Sequence, residues 1–370
     1  MSAQERYEPK DKWNKFTHEV DTHAHRKKYS QRLVNHLDET KQWAALHYAV
    51  FNNNTYVSDK LTDKKNGEKH FHCDINILTG NGENVLHVAT RSNFLWEDSP
   101  LLAKSKETTV EIDHQQILLP SIICTLIDRG TDVNHPDDEG RTPLHLAIME
   151  NRLTFVKYLL HRNANIYSTS TELFPLRVKS KYLPLMRTFD NRTPLILAVS
   201  HPAITDNIIR NLLTQMGYYS ADIFNQSLLQ KNIYQTQIFM AIAQVAKQRR
   251  LPPYDHLKLI LDVCDHNILN QLFHFPCRYN NANLLKWLIE QSSKPYDPST
   301  RSRGTSIKLD LNKHDHAGYT PLLTAVFYGS TDCVNYLLDT SSLSVKIDEV
   351  NADGENILHI CAKHPVSKHL

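Results

Sequence analysis

Apolar and polar positions alternate along this chain with a period too long for any single helix or strand. Residues 137–166 read DDEGRTPLHLAIMENRLTFVKYLLHRNANI. Leu144, Leu146, Ala147 and Ile148 form one short apolar run, and Val156, Leu159 and Leu160 recur at helical spacing in a second. Polar residues separate the runs, so the pattern predicts two short helices joined by a turn. The phase repeats upstream: Leu126-Ile127 stands 33 residues before Leu159-Leu160, Gly130 before Asn163, and Val133 before Ile166. A unit of that size cannot bury its apolar face alone, which predicts an array of stacked neighbours.

The same phase recurs at Ala44–Ala49, Asn84–Ala89, Thr142–Ala147, Thr193–Ala198, Thr236–Ala241, Leu272–His274, Thr320–Ala325 and Asn356–His359. These are eight starts, of which seven open a complete unit. The pattern resembles the ankyrin repeat family, whose unit is a turn, TPLHxA, two short helices and a closing apolar pair. The resemblance implies an all-α ankyrin repeat solenoid: helix-turn-helix repeats with β-turn fingers, carrying several long insertions. The predicted organisation is a polar, partly disordered segment over 1–37, with a capping helix from Ser30 to Leu37, and a repeat array over 38–370.

The letters fit the physics of such a unit. A Thr at the helix start accepts a backbone N–H, and Pro after it has no N–H to leave unpaired. Gly130 and Asn163 follow the second helix, where a left-handed residue is expected, and Asn tolerates that backbone better than most residues. Asparagine thereby helps a turn-rich chain manage with 10 glycines. The motif histidines His47, His87, His145 and His359 are expected to hydrogen-bond between neighbouring turns. Insertions interrupt the period near 94–115, 167–189, 218–231, Lys247–Pro253 and 292–309; three are mildly basic and read as solvated loops. Leu370 falls just after the first helix of the eighth repeat, so we expect the chain to be shorter than its functional parent.

Composition adds exclusions. A formal net charge of +2 gives no large electrostatic footprint for nucleic acid. The polar stretch Met1 to Lys10 has no apolar continuation, and no apolar run spans a bilayer, so an intracellular, soluble and cytoplasmic protein is expected. The six cysteines form no CxxC pair and read as reduced thiols, with Cys124, Cys333 and Cys361 on apolar helical phases. There is no GxxxxGK[ST], GxSxG or HExxH. Gly80-Asn81-Gly82 sits at a repeat turn and reads as that turn. His70, His72 and Cys73 lack a fourth ligand at recognised spacing, and His23 and His25 read as solvated. No constellation supports an enzyme, and no cofactor or metal is expected.

A repeat array recognises partners through the concave face made by turn tips and first helices. Counting from the turn Asp, the candidate partner-binding residues are Asp138, Glu139, Arg141, Met149 and Glu150 in repeat three, and His316, Tyr319, Phe327 and Tyr328 in repeat seven. Arg278 and Tyr279 hold helix positions in repeat six, and Trp43 and Phe51 in repeat one. These residue types anchor protein interfaces.

Within about 190–362 a narrower resemblance appears. Residues 221–241, ADIFNQSLLQKNIYQTQIFMA, are similar to the first-to-second repeat junction of the inhibitor-of-NF-κB (IκB) group, with Asn232, Gln235 and Thr236 on its turn pattern. Residues 309–326, LDLNKHDHAGYTPLLTAV, resemble that group's later junction. Gln237 and Phe239 stand where that group carries Pro and His; no Asp-Ser-Gly phosphodegron occurs, and no acidic tail follows the repeats. The resemblance implies a binder of Rel-type transcription factors or a signalling adaptor, other than a phosphorylation-degraded inhibitor. The alternatives are the N-terminal ankyrin segment of a larger protein, such as a TRP-type channel, and a substrate-recruiting adaptor.

Overall fold

A computed structural model describes residues 34–62, 73–92, 107–112, 115–166, 193–200, 206–216, 228–248, 254–261, 264, 266–292, 310–340 and 343–363. The chain divides into two compact units, Met1–Pro194 and Leu195–Leu370. Of the expected capping helix, Ser30 to Leu33 lie outside the described residues; Val34 is buried, and His36 and Leu37 are non-helical.

The first unit contains α1 (Ala45–Phe51), α2 (Thr55–Thr62), α3 (Val85–Thr90), β1 (Glu107–Ile112), β2 (Gln115–Pro120), α4 (Ser121–Asp128), α5 (Pro143–Met149) and α6 (Leu153–His161). Helices α1, α3 and α5 open successive repeats and pack in that order, while α2 packs on α4. The motif leucines Leu46, Leu86 and Leu144 are fully buried between them, as is the following Ala of each motif, Ala89 and Ala147. Small residues there let consecutive helices approach closely.

The all-α expectation needs one correction. Between α3 and α4, strands β1 and β2 pair antiparallel from Glu107↔Pro120 to Ile112↔Gln115 and pack against α4 and α6. Thr108, Thr109, Val110 and Ile112 are β-branched, and Ile117 and Leu119 alternate inward around the exposed Leu118. The apolar run Ile117–Ile127 is therefore two elements, a strand that ends at Pro120 and a helix that starts at Ser121. An unbroken apolar run conceals that change of period.

The second unit contains α7 (Pro194–Ser200), α8 (Asp206–Gln215), α9 (Leu228–Lys247), a 3-10 turn (Asp255–Leu257), α10 (Lys258–Leu261), α11 (His266–Leu272), α12 (His274–Tyr279), α13 (Ala282–Ser292), α14 (Pro321–Phe327), α15 (Thr331–Asp339) and α16 (Ile357–Lys363). Helix α9 packs on α12, α12 on α14, and α14 on α16; α13 packs on α15. The expected turn at Asn232, Gln235 and Thr236 is absent, because α9 runs straight through it. Neither Gly nor Pro occurs between Leu228 and Lys247, so nothing breaks the helix there. Of the insertions expected near 94–115, 167–189, 218–231, Lys247–Pro253 and 292–309, residues 94–106, 167–189, 218–227, 249–253 and 293–309 fall outside the described residues.

Asparagine takes the turns that glycine usually fills. Asn163 and Gly130 both have positive φ (63° and 99°) after second helices, as their shared phase predicts. Asn53, Asn151 and Asn280, with φ of 51–53°, turn the chain from a first to a second helix. Asn280 also caps the next repeat: its Oδ1 accepts from Asp332 N and Cys333 N (3.1 and 3.4 Å) at the start of α15.

Candidate functional site

Each finger is a short loop closed on one polar side chain. Asp137 Oδ1 accepts from the backbone N–H of Glu139 and Arg141 (2.9 and 2.8 Å), and Gly140 takes φ 73°. Asp315 repeats this with Ala317, Tyr319 and Gly318, and Asn351 with Asp353, Glu355 and Gly354. Thr79 does so with Asn81, Glu83 and Gly82, so Gly80-Asn81-Gly82 is a turn. In the first finger Asp38 accepts from Thr40, Lys41 and Trp43, hydrogen bonds that hold its carboxyl well below the usual range.

Behind the fingers, the histidines tie turn to helix. His87 Nδ1 accepts from Asn84 N (3.2 Å), and Nε2 reaches the Arg141 carbonyl of the next repeat (2.8 Å). His274 makes the equivalent reach to Lys313 O (3.2 Å). His47 and His145 accept from Ala44 N and Thr142 N, whereas the exposed His359 bonds within its own turn, to Asn356. Burial pushes His47 and His87 down to about 4, so both are neutral at pH 7. Thr320 caps α14 through Leu323 N as expected; Thr142 instead turns its hydroxyl to His145 Nδ1 (2.9 Å).

Within each unit, asparagines that sequence reasoning missed tie successive repeats together. Asn76 Oδ1 accepts from Asp132 N (3.0 Å), and Asn134 Oδ1 from Asn165 N (2.7 Å). In the second unit Asn270 accepts from Asp310 N and Asn312 from Lys346 N. The D-x-N triplets at 74–76, 132–134 and 310–312 were their visible signal.

The candidate residues separate into three groups. In repeat one Trp43 and Phe51 meet edge to face at 5.3 Å. Lys41, which sequence reasoning passed over, lies above both rings and that of Tyr48, 4.8 Å from the Trp43 centroid. Lys41, Trp43 and Phe51, with Glu83, Val88 and Arg91, line a cleft of about 480 Å³. In repeat three Arg141 is spent within its own finger, bonded to Asp137 and Glu139 at 2.7–2.8 Å. Asp138, Met149 and Glu150 are exposed there without clustering.

Repeats six and seven bring five candidates together. Tyr319 and Phe327 meet edge to face at 5.4 Å, and Phe327 and Tyr328 at 5.0 Å. The exposed Arg278 lies 5.0 Å from the Tyr328 ring centroid and 5.9 Å from that of Tyr279. His316 is exposed on the adjoining finger. Tyr328 keeps 41% of its surface in solvent.

Cys124, Cys277 and Cys333 are buried, Cys361 half-buried, and all are free thiols. Burial pushes Cys73 up to about 12, which leaves it a protonated thiol. Among the described residues no three His, Cys, Asp or Glu side chains are grouped to hold a metal, and no helix is long and apolar enough to cross a membrane. His23, His25, His70 and His72 lie outside the described residues.

Comparison with known proteins agrees with this geometry. The family described as ankyrin repeats (3 copies) matches residues 114–170 and 273–370. An ankyrin repeat protein of Fowlpox virus (strain NVSL) is 43% identical over 54 residues, 14% of this chain and 12% of that protein. The chain thus spans only a small part of that relative. Ankyrin repeats are characteristically non-catalytic protein-interaction modules, and one matched stretch falls in each of the two units.

Proposed function

We propose that this chain is a non-catalytic interaction module that holds a regulatory or signalling protein on the finger face of its repeats. The convergence of Arg278, Tyr279, Tyr319, Phe327 and Tyr328 carries this reading. Side chains from two repeats meet there at the surface, in the residue types that dominate interface energetics. The test is affinity purification of the tagged full chain from cells, compared with a variant carrying Arg278→Ala, Tyr279→Ala and Tyr328→Ala. A specific partner should be lost from the variant at unchanged melting temperature; retention of every partner would remove the assignment.

The narrower reading is an IκB-like regulator of Rel-type transcription factors, acting in the cytoplasm or nucleus. It is favoured by one junction, where Asp310–Asn312 leads into the Asp315–Tyr319 finger as in that group. The helical course of Asn232–Thr236 leaves it resting on residues 309–326 alone. A Rel-homology protein among the partners lost from the variant would support it. Channel subunits or a modifying enzyme in that place would favour a channel segment or a recruiting adaptor.

A further inference from the structure

We infer that the Arg278 cluster is an acceptor site for an acidic peptide segment. A carboxylate of the partner pairs with the Arg278 guanidinium, and a neighbouring aromatic or apolar side chain lies against Tyr328 and Phe327. This rests on the interaction reading above and specifies the chemistry of the partner.

Among the described residues Arg278 lacks the ion pair that other arginines of this chain make. Arg91, Arg129, Arg141 and Arg162 each pair with a carboxylate of this chain. Arg278 is exposed and, among the described residues, has ring contacts and no ion pair. In the surrounding repeats Asp332 Oδ2 accepts from Asn280 Nδ2 (2.9 Å), Asp315 closes its finger, and Glu355 pairs with Lys363 and accepts from Asn351. No carboxylate among the described residues forms an ion pair with the Arg278 guanidinium, which is left open to one from a partner.

Geometry makes that cation selective. Contact with the Tyr328 and Tyr279 rings restrains the guanidinium, so less side-chain entropy is lost on binding. Its remaining N–H groups offer the fork that a carboxylate fills bidentately. The ring edges of Tyr319, Phe327 and Tyr328 supply apolar surface beside it. A nucleic-acid strand would also pair with Arg and stack on Tyr, but it needs a track of cations, and a chain of net charge +2 with one stacked arginine here does not supply one. The first unit contains the same device: the exposed Lys41 lies over Trp43, Tyr48 and Phe51, with no ion pair among the described residues.

The test uses the full chain and three labelled probes read by fluorescence anisotropy: a glutamate–tyrosine copolymer, a lysine–tyrosine copolymer and single-stranded oligo-dT. The glutamate–tyrosine copolymer should bind most tightly and weaken with salt. Arg278→Ala should weaken it about ten-fold, the loss expected of one charge-assisted pair. Arg278→Lys, which keeps the charge and loses the fork, should recover only part. Because Arg278 is exposed, the thermal melt should not move. Equal affinity for the lysine copolymer, tighter binding of oligo-dT, or an unchanged Arg278→Ala would each overturn the inference. If the copolymer fails while the triple alanine variant still loses its cellular partner, the acidic-segment inference falls and the interaction reading stands. If the triple variant also loses nothing, both fall.

Discussion

Acidification should unfold the first unit through two histidines before its carboxylates titrate. His47 and His87 are fully buried and depressed to about 4, against 6.5 for a solvated imidazole. Burial is the main cause in both, and at His87 the ring is also committed. Nδ1 accepts from Asn84 N, so the proton sits on Nε2 and points at Arg141 O. A second proton on Nδ1 would face the Asn84 N–H beside the Asn84 Oδ1 (2.8 Å), and its charge would be held in a dry core, which is the dominant cost. The unfolded chain therefore binds more protons than the folded one between pH 6.5 and 4. This contribution to stability is complete above pH 6.5 and is lost as pH falls through that window. Between pH 7.5 and pH 5 each histidine should remove ~2 kcal/mol, and the pair ~4 kcal/mol, a large share of a domain's stability. Asp38, whose carboxyl lies well below its ordinary value, adds its own loss only further into acid. The assay is urea unfolding of the full chain followed by circular dichroism and Trp fluorescence at both pH values. His87→Gln, which keeps one acceptor and one donor, should remove about half of the pH dependence. Equal stability at pH 5 and 7.5, or an undiminished slope in His87→Gln, would refute the argument.

Substitutions at three further positions probe the turns. Gly318→Ala places a Cβ against the Ala352 backbone at φ +77° and should cost ~2 kcal/mol, read as a lowered melting temperature. Asn134→Ala removes the bonds to Asn165 N and Asn163 O that join two repeats, and should cost ~1–2 kcal/mol in urea unfolding. Asn280→Ala loses both a left-handed turn and the cap of α15, at ~1–2 kcal/mol; Asn280→Gly should restore only the turn. A melting temperature for Asn280→Gly equal to that of the native chain would show that the cap contributes nothing.

What was legible in the sequence was whatever recurs. Leu46, Leu86 and Leu144 share one phase and one fully buried environment, so a repeated letter predicted a repeated packing site. Asn163 could be placed in left-handed backbone because Gly130 occupies the same phase. Arg278, Tyr279, Tyr319, Phe327 and Tyr328 were reached from spacing alone, because the turn fixes which side chains its finger and first helix present.

What was not legible depends on neighbours rather than spacing. Arg141 satisfied the rule for an exposed finger residue, yet Asp137 and Glu139 engage its guanidinium, which a count from the turn cannot reveal. Lys41 belongs with Trp43 and Phe51 only because a folded finger brings it over their rings. The β1–β2 hairpin and the unbroken α9 both sit where the period lapses, and there local propensity decides: β-branched alternation gives strands, and twenty residues without Gly or Pro give one helix. The same distinction ranks the candidate site. A finger whose cation is neutralised within its own repeat, as at Arg141, has little charge left to offer a partner. A first helix whose cation rests on rings from its own and the next repeat, as at Arg278, keeps that charge in solvent. On this ground we propose repeats six and seven as the site of recognition in preference to repeat three, although repeat three follows the sequence motif more closely.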